Sequence, residues 1–221
     1  MHLTREDLEA TESIKRLNIV NSVTGIKPAN LVGTIGANGI PNLAIFSSVV
    51  HLGSNPALLG FIVRPTDEVR RHTYENVREA GYYTINNVHN DFVQRAHYTS
   101  AKFEETESEF EQCQLSEEYI GDFPAPFVKE SELKMGMKLV QQLPIEVNGT
   151  IMMIGSIEHL IVADRAVDEH GHMDLSTIDD SGISGLNSYY SLTKVDQYPY
   201  ARPHELPDFF GNQADQKSSE S

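Results

Sequence analysis

The chain has 221 residues and a formal net charge of −15, because acidic residues outnumber basic residues 32 to 17. A protein that follows a nucleic-acid backbone needs clustered Lys and Arg, and the basic residues here are scattered, so nucleic acid is excluded as the main partner. Hydrophobic residues make up 39% of the chain, and no run approaches the ~20 apolar residues of a membrane span. We therefore expect a folded cytoplasmic protein without a membrane-spanning segment.

Residues 4–17 predict a short amphipathic helix. Thr4 can cap the first turn, acidic residues follow it, and apolar residues recur at Leu8, Ile14 and Leu17.

An Asn-Gly pair predicts the first β-hairpin. Asn38 and Gly39 lie between two apolar stretches, residues 30–37 and 40–48, and both turn residues of such a hairpin need a positive φ. The glycine spacing near this turn differs from that of a phosphate-binding loop, and no helix is predicted after it. The hairpin interpretation is therefore preferred.

The middle of the chain predicts alternating strands and helices. The run 57–63 predicts a buried strand that ends before a proline, and residues 66–81 carry the signals of a helix that Thr66 caps and Gly81 closes. A further strand and two further helices are predicted over residues 82–86, 91–98 and 102–110.

The last third predicts strands, a polar loop and a tail. Residues 139–162 predict two or three strands, in which Asn148-Gly149 is either a turn or a bulge. Residues 166–174 predict a polar loop, and residues 207–221 predict a disordered tail after a single domain over residues 1–206. Short strands punctuated by Gly and Pro, with a few inserted helices, are typical of a β-barrel with helical decoration.

The first candidate binding segment is Phe46-Ser47-Ser48, at the end of the second strand of the hairpin. Hydroxyls and exposed N–H groups at a strand end can hold the polar edge of a ligand, although serine in a loop is more commonly a turn former.

The second candidate is an anion site that begins at Arg64. This arginine leaves a buried strand just before the predicted helix start at Thr66, and a guanidinium, hydroxyls and helix-start N–H groups together can bind an anion. Positive charge and further donors follow at residues 70–73. A surface ion-pair cluster with the acidic residues at 67, 68 and 75 explains the pattern equally well.

The third candidate is Thr99-Ser100-Ala101-Lys102. Two hydroxyls, a small residue and a lysine suit a phosphate or another anionic edge, whereas Ser100 could equally be an ordinary cap for the next predicted helix. Near the C-terminus, the pairs Tyr189-Tyr190 and Tyr198, Tyr200 could stack on a ring, but such aromatics are more often core or dimer contacts.

Neither cysteine nor histidine indicates a metal site. Cys113 is the single cysteine, which excludes an intramolecular disulfide, and its acidic surroundings do not favour a thiolate. His170 and His172 lie one residue apart in a polar loop without an evident distant ligand, so an exposed turn is the preferred interpretation. With no catalytic triad or paired-carboxylate signature, no catalytic residue is nominated, and a bound cofactor would carry the chemistry of an enzyme.

Taken in order, these segments resemble the flavin reductase-like family, whose fold is the FMN-binding split barrel. The similarity rests on an ordered set of short motifs and covers residues 12–203. The motifs include Lys27-Pro28, Leu31-Val-Gly-Thr, Asn42-Leu-Ala-Ile-Phe-Ser-Ser, Gly53-Ser-Asn-Pro, Gly60-Phe-Ile-Val-Arg-Pro, Arg71-His-Thr-Tyr-Glu-Asn, Tyr83-Thr-Ile-Asn, Thr99-Ser-Ala-Lys-Phe, Phe127-Val-Lys-Glu-Ser and Tyr200-Ala-Arg-Pro.

The resemblance implies a mainly β fold, a six-stranded antiparallel split barrel of Greek-key type with inserted helices, and a homodimer with non-covalent FMN near the subunit interface. It implies contacts to the flavin ring from Asn42, Phe46, Ser47 and Ser48. It implies phosphate contacts from Arg64, Thr66, Thr73, Thr99, Ser100, Ala101 and Lys102, with Arg71 or His72 as alternatives to Thr73.

The resemblance also implies an oxidoreductase that passes electrons or hydride through the flavin, with NAD(P)H as a candidate donor. A flavoredoxin-like electron carrier reduced by another protein, and a non-catalytic flavin-binding or sensor protein, are the alternatives.

Overall fold

A seven-stranded antiparallel sheet forms the body of the protein. The structure, a computed structural model, describes residues 1–67, 69–207 and 209. Its strands are β1 (Lys27–Pro28), β2 (Asn30–Ile35), β3 (Pro41–Phe46), β4 (Val50–Ser54), β5 (Ala57–Val63), β6 (Tyr82–Asn87), β7 (Glu117–Glu118), β8 (Phe127–Val128), β9 (Leu133–Ile145), β10 (Thr150–Val162), β11 (Ser181–Ser184) and β12 (Ser188–Ser191). The main sheet has the order β3-β2-β6-β9-β10-β5-β4. The predicted mainly β fold is confirmed, with seven strands rather than six in this sheet.

Five short helices lie at the N-terminus and in the connections. They are α1 (Arg5–Ala10), α2 (Ser13–Ser22), α3 (His72–Ala80), α4 (Val93–Tyr98) and α5 (Glu109–Gln112). A short 3₁₀ turn, Asn90–Phe92, leads directly into α4, so the helix predicted over residues 91–98 is confirmed with a tighter first turn.

The sheet curls into a barrel because a very short link joins its two edges. β3 and β4 lie at opposite ends of the strand order, yet only residues 47–49 separate them in the chain. Four residue steps span at most about 14 Å, so the two edges must approach each other. Ser48 connects them, because its Oγ accepts a hydrogen bond from the Ile62 N–H at 3.0 Å and donates one to the Ile62 carbonyl at 3.3 Å.

The barrel interior is apolar. The Phe61 ring lies edge-on to Phe46 and to Tyr83, with centroids 5.0 and 5.4 Å away. Met137 and Met153 fill the remaining space beside them. A second apolar cluster, which includes side chains of β3, α4 and α5, covers the outside of the barrel next to the β3 edge.

A three-stranded sheet in the order β1-β11-β12 lies beside the barrel. The buried carboxylate of Asp180, just before β11, accepts a hydrogen bond from Asn87 Nδ2 at 2.5 Å. The next N–H, that of Ser181, donates to the Val88 carbonyl at 2.8 Å. Burial raises the pKa of Asp180 to about 6. The small sheet is therefore attached to the barrel through a carboxyl group that titrates in an accessible range.

The N-terminal helix predicted over residues 4–17 is in fact two helices. Thr4 caps α1 as predicted, in a capping box with Asp7, but α1 ends at Ala10 and α2 begins at Ser13. None of the residues of either helix is buried.

The helix predicted over residues 66–81 begins only at His72. Its buried positions are Thr73 and Val77, one turn apart, and none of the described residues before Thr73 in this segment is buried. Packing on the barrel rather than the capping signal at Thr66 therefore sets the start of α3. Gly81 ends the helix as predicted, with a φ of 74°.

The prediction of an acidic helix over residues 102–110 is wrong. This segment is irregular and leads into the four-residue α5. Glutamates at residues 104, 105, 107, 109 and 111 would lie three or four positions apart in a helix, and like charges at that spacing destabilise it.

The two Asn-Gly turns differ in detail from the simplest two-residue form. Between β2 and β3, the Gly39 N–H donates to the Gly36 carbonyl at 2.9 Å, so Ala37 and Asn38 are the central residues of the turn, and of the predicted Asn38-Gly39 pair only Gly39 has a positive φ. Asn38 instead accepts from the Ile40 N–H through its side chain. Between β9 and β10, Asn148-Gly149 is a turn rather than a bulge, because the Gly149 N–H donates to the Ile145 carbonyl at 2.9 Å.

The later strands are found where predicted, whereas most of the predicted tail lies outside the described residues. The strands predicted over residues 57–63 and 82–86 are confirmed as β5 and β6, and residues 139–162 belong to two strands, β9 and β10. The tail predicted over residues 207–221 falls, apart from residues 207 and 209, outside the described residues. None of the helices in the described part of the chain is long and apolar enough to cross a membrane.

The raised pKa of Asp180 predicts a pH-dependent stability. The usual value of 3.8 applies to the unfolded chain and about 6 to the folded protein, so the folded protein retains a proton that the unfolded chain loses. The Asp180 contribution to the free energy of unfolding should therefore fall as the pH rises from about 4 to above 6, by on the order of 3 kcal/mol. Asp180→Asn should flatten this slope, measured by denaturant unfolding at several pH values.

Asp122→Asn, at an exposed carboxylate, is the matched control and should keep the parent slope. A slope in the Asp180→Asn variant equal to that of the parent would contradict the assignment.

Candidate functional site

The N-terminus of α3 has the features of an anion site. Arg71 occupies the N-cap position and its side chain makes no capping hydrogen bond. The first N–H groups of a helix point out of its end and carry a partial positive charge. An uncapped helix start of this kind favours a bound anion.

Arg71 adds a guanidinium without a counter-charge. Its side chain is half-buried, and its buried Nε has no hydrogen-bond partner among the described residues. Burial lowers the pKa of Arg71, and the charge of the nearby Arg64 lowers it further. Two neighbouring cations that the described residues leave without an acidic partner are stabilised by an anionic ligand.

Thr73 and Asn42 connect this corner to β3. The Asn42 Nδ2 donates to the Thr73 Oγ1 at 3.3 Å, and both side chains are buried. The Thr73 hydroxyl thus accepts from Asn42 and can still donate its own proton. Thr66 lies half-buried in the loop that leads from Arg64 to α3. The structure therefore places Asn42 beside Thr73 at the start of α3, and Arg64 near Arg71.

Arg70 belongs to a separate ion-pair cluster. It binds Glu75 at 2.7 Å and also pairs with Glu105. The two interpretations of this basic segment thus apply to different residues: Arg70 forms the surface cluster, whereas Arg64 and Arg71 form the anion corner.

The end of β3 presents an apolar side chain and free backbone groups. Phe46 is half-buried against Phe61, and Ser47 follows it at the surface of the barrel. The hydroxyl of Ser48 is engaged by Ile62 and holds the barrel closed. Ser48 thus has a structural role here, which the sequence alone does not reveal.

β3 is an edge strand, and a buried carboxylate binds its edge. The Leu43 N–H donates to Glu109 Oε2 at 2.9 Å. Alternate N–H groups of an edge strand point away from its neighbour, so the Ile45 N–H points the same way as that of Leu43. No described side chain accepts a hydrogen bond from the Ile45 N–H.

Glu109 is the part of the site that sequence reasoning missed. It is 6% exposed, and burial raises the pKa of its carboxyl group. Its sequence neighbours are other acidic residues, which indicate a solvated surface, so no local signal predicts its burial.

The segment from Thr99 to Lys102 lies at the C-terminal end of α4. The Thr99 and Ser100 hydroxyls donate to the carbonyls of Ala96 and His97, at 2.8 and 2.7 Å. Ser100 is therefore not the cap of a following helix. A helix C-terminus carries a partial negative charge, which disfavours phosphate there. Lys102 and Ala101 are exposed beyond this end, and α4 packs against β3, so the segment borders the same strand.

The histidine pair lies in an exposed loop beside Asp168. His172 Nδ1 lies 3.2 Å from Asp168 Oδ2 in an exposed loop. Across the described ranges, no group of three His, Cys, Asp or Glu side chains is arranged to hold a metal ion.

Comparison with known proteins identifies the domain. A model of the flavin reductase like domain matches residues 26–176. A split-barrel protein assigned as a flavin reductase, from Shewanella frigidimarina NCIMB 400, superposes with a TM-score of 0.87 at 47% identity and covers 91% of this chain and 100% of that chain. The flavoredoxin of Desulfovibrio vulgaris (Miyazaki F) gives 0.70 at 22% identity, over 80% and 92% of the two chains, which shows the fold alone.

A more distant relative matches over a shorter length. An uncharacterized protein of Aquifex aeolicus is 28% identical over 120 residues, which are 54% of this chain and 61% of that protein, so less than two thirds of the relative is spanned. Together with the structural matches, the family model confirms the split-barrel fold.

The anion corner predicts an unusual response to substitution. Arg71→Met removes a half-buried cation that has no described partner, so it should raise the free energy of unfolding by about 0.5 kcal/mol in phosphate-free buffer. Inorganic phosphate should raise the Tm of the parent but raise that of the variant less, because binding to the folded state stabilises it. Calorimetry with and without phosphate measures both effects.

Arg165→Met is the control, because Arg165 is paired with Glu132 and lies outside this corner. It should keep the phosphate response. An Arg71→Met variant with the full phosphate response would contradict the site.

Proposed function

The chain belongs to the flavin reductase-like family, and on that premise we propose that it binds FMN non-covalently and acts as a flavin-dependent oxidoreductase. The observation that carries this proposal is the buried Arg71 Nε without a described partner, at the uncapped start of α3. A phosphate group supplies the charge and the acceptors that this corner lacks.

The preference for FMN follows from the size of the anion corner. One helix start with two neighbouring guanidiniums matches a single phosphate monoester. Arg64, Arg71 and Thr73 would hold it, with Thr66 beside them. Local cations and N–H groups act at contact distance, whereas the acidic surface acts from farther away and is screened by salt.

The ring would lie along the β3 edge. Asn42, Phe46 and Ser47 border that position, and the Ile45 N–H supplies a donor for a ring carbonyl. Lys102 and the C-terminal end of α4 would meet a polar edge of the ring, so Thr99 to Lys102 suit the ring better than the phosphate. Ser48 would act by keeping β3 and β5 together.

The chain's own residues would position the cofactor and exclude water. FMN, when bound, supplies the capacity to accept and pass on electrons or hydride. Phe46 and Phe61 keep the adjoining barrel interior dry, and Glu109 fixes the β3 backbone at Leu43, two residues from Ile45 on the same edge. No side chain is nominated as an acid or base, since hydride transfer itself requires none.

Three finer points are also part of the proposal. We propose NAD(P)H as the electron donor to test first, a homodimer as the working assembly, and a cytoplasmic location. The homodimer is supported by the exposed apolar side chains of α2, which the described part of the chain leaves uncovered.

The absorption spectrum of the purified protein tests the central claim. Flavin bands in the near ultraviolet and blue should appear in the protein as isolated or after reconstitution with FMN and removal of unbound flavin. Consumption of NADH or NADPH by the loaded protein, followed by nicotinamide absorbance, then tests the donor. Protein that retains no flavin after reconstitution would overturn the proposal, whereas bound flavin without nicotinamide consumption would favour an electron carrier.

Comparison of FMN with riboflavin separates the phosphate from the ring. Arg64→Ala and Arg71→Ala should each weaken FMN binding by about 1.5–3 kcal/mol, with the exposed Arg64 at the lower end, and leave riboflavin binding unchanged. Lys102→Ala should weaken both ligands by similar factors if Lys102 meets the ring. Fluorescence titration measures the affinities. Equal losses for FMN and riboflavin in the two arginine variants would place the phosphate elsewhere.

A further inference from the structure

We propose that the C-terminal arm, defined as residues 192–207 and 209, packs on α2 of a second copy of the chain. This inference rests on the proposed homodimer and names its contact surfaces. The arm follows β12, and its described residues hold one short 3₁₀ turn, Pro203–Glu205. Its large apolar side chains are 67–96% exposed; they are Val195, Tyr198, Tyr200, Leu206 and Phe209.

The second uncovered surface is the apolar face of α2 and the residues that follow it. Successive apolar residues, three positions apart, are 49–73% exposed; they are Ile14, Leu17, Val20, Val23 and Ile26. Each residue lies about 60° around the helix axis from the previous one, so Ile14, Leu17 and Val20 form an apolar strip that winds around α2 and continues into Val23 and Ile26 beyond its end. Exposure of this whole set in an otherwise folded chain indicates a surface that something else covers.

The apolar area is of the size that a dimer needs. Each large aromatic side chain buries about 150–250 Å² when covered, so the three aromatics of the arm offer roughly 400 Å² at their observed exposure. A stable interface buries about 800 Å² on each partner, and the α2 face supplies much of the remainder.

The distribution of charge favours a second copy of this chain as the partner that covers the arm and the α2 surface. The chain carries a net −15, so two copies repel each other over most of their surfaces. Residues 13–27 carry three basic residues and no acidic one, and within residues 192–207 two basic residues balance two acidic ones. The uncovered apolar surfaces thus coincide with the parts of the chain on which two acidic copies can approach each other.

Connectivity explains why the contact is exchanged between copies. α2 leads into β1 and the arm leaves β12, and these are the two outer strands of the small sheet β1-β11-β12. Because β1 and β12 both run antiparallel to β11, α2 joins one end of the small sheet and the arm leaves the other. Ile26 and Leu192 both lie against Gly182 of β11, but the apolar side chains farther along each segment stay exposed. A two-fold axis places the arm of each copy on α2 of the other and repeats the same contact twice.

Mixing two variants tests the exchange. The α2 variant carries Leu17→Asp and Val20→Asp, and the arm variant carries Val195→Asp and Tyr200→Asp. Size-exclusion chromatography with light scattering should give about 49 kDa for the parent, twice the 24.7 kDa chain, and about 25 kDa for each variant alone. In the mixture, an intact arm meets an intact α2 once, so a heterodimer should form and be captured by an affinity tag on one chain.

The control is Val147→Asp, at a 91% exposed valine in the turn between β9 and β10, together with Tyr119→Asp at another exposed aromatic. These variants should remain dimers. Circular dichroism confirms folding, and Leu17→Ser with Val20→Ser replaces the α2 variant if the aspartates prevent it.

The masses of the parent and the variants distinguish the arm contact from the homodimer, and flavin absorbance reports cofactor binding separately. A monomeric parent would overturn the homodimer and the arm contact together. A dimeric parent with dimeric variants, or a variant mixture that stays monomeric, would overturn the arm contact alone. Flavin absorbance, recorded on the same eluting parent, reports cofactor binding independently of mass.

Discussion

Closure of the barrel by the short β3–β4 link is the constraint on which the rest of the structure depends. Because three residues connect opposite edges of the sheet, the end of β3 must lie beside β5, and the Ser48 hydroxyl joins the two strands at Ile62. Arg64 leaves β5 two residues later. The same closure therefore places the basic exit of β5 near the strand edge that borders the candidate site, which segments distant in sequence build together.

Elements whose signals are local could be predicted from the sequence, and elements set by packing could not. The first hairpin and the β5 run depend on turn residues and apolar periodicity, and both are found where predicted. The start of α3 depends on where Thr73 and Val77 meet the barrel, which no capping signal encodes. For the same reason, an acidic run cannot show that Glu109, alone among the glutamates of this run, turns inward to bind the β3 backbone.

The candidate site shows the same division. Sequence reasoning found the basic segment at residues 70–73 but could not assign its two arginines to different tasks. Arg70 is neutralised by Glu75 and Glu105, whereas the Arg71 Nε lies buried with no described partner. That difference depends on the position of Glu105, which is 35 residues away in the chain. A strongly acidic protein can thus keep a local positive site by directing its carboxylates to one arginine and not to the next.

The carboxylate of Glu109 has a second consequence, for self-association through strands. An uncapped strand edge is a template on which a foreign strand can add, and β3 is such an edge. The Leu43 N–H already donates to the buried carboxylate of Glu109. An incoming strand would have to displace this carboxylate before its own backbone could pair with β3 at Leu43. Strand addition is thus blocked at Leu43, where a continuous ladder would have to begin, while no described side chain accepts from the Ile45 N–H.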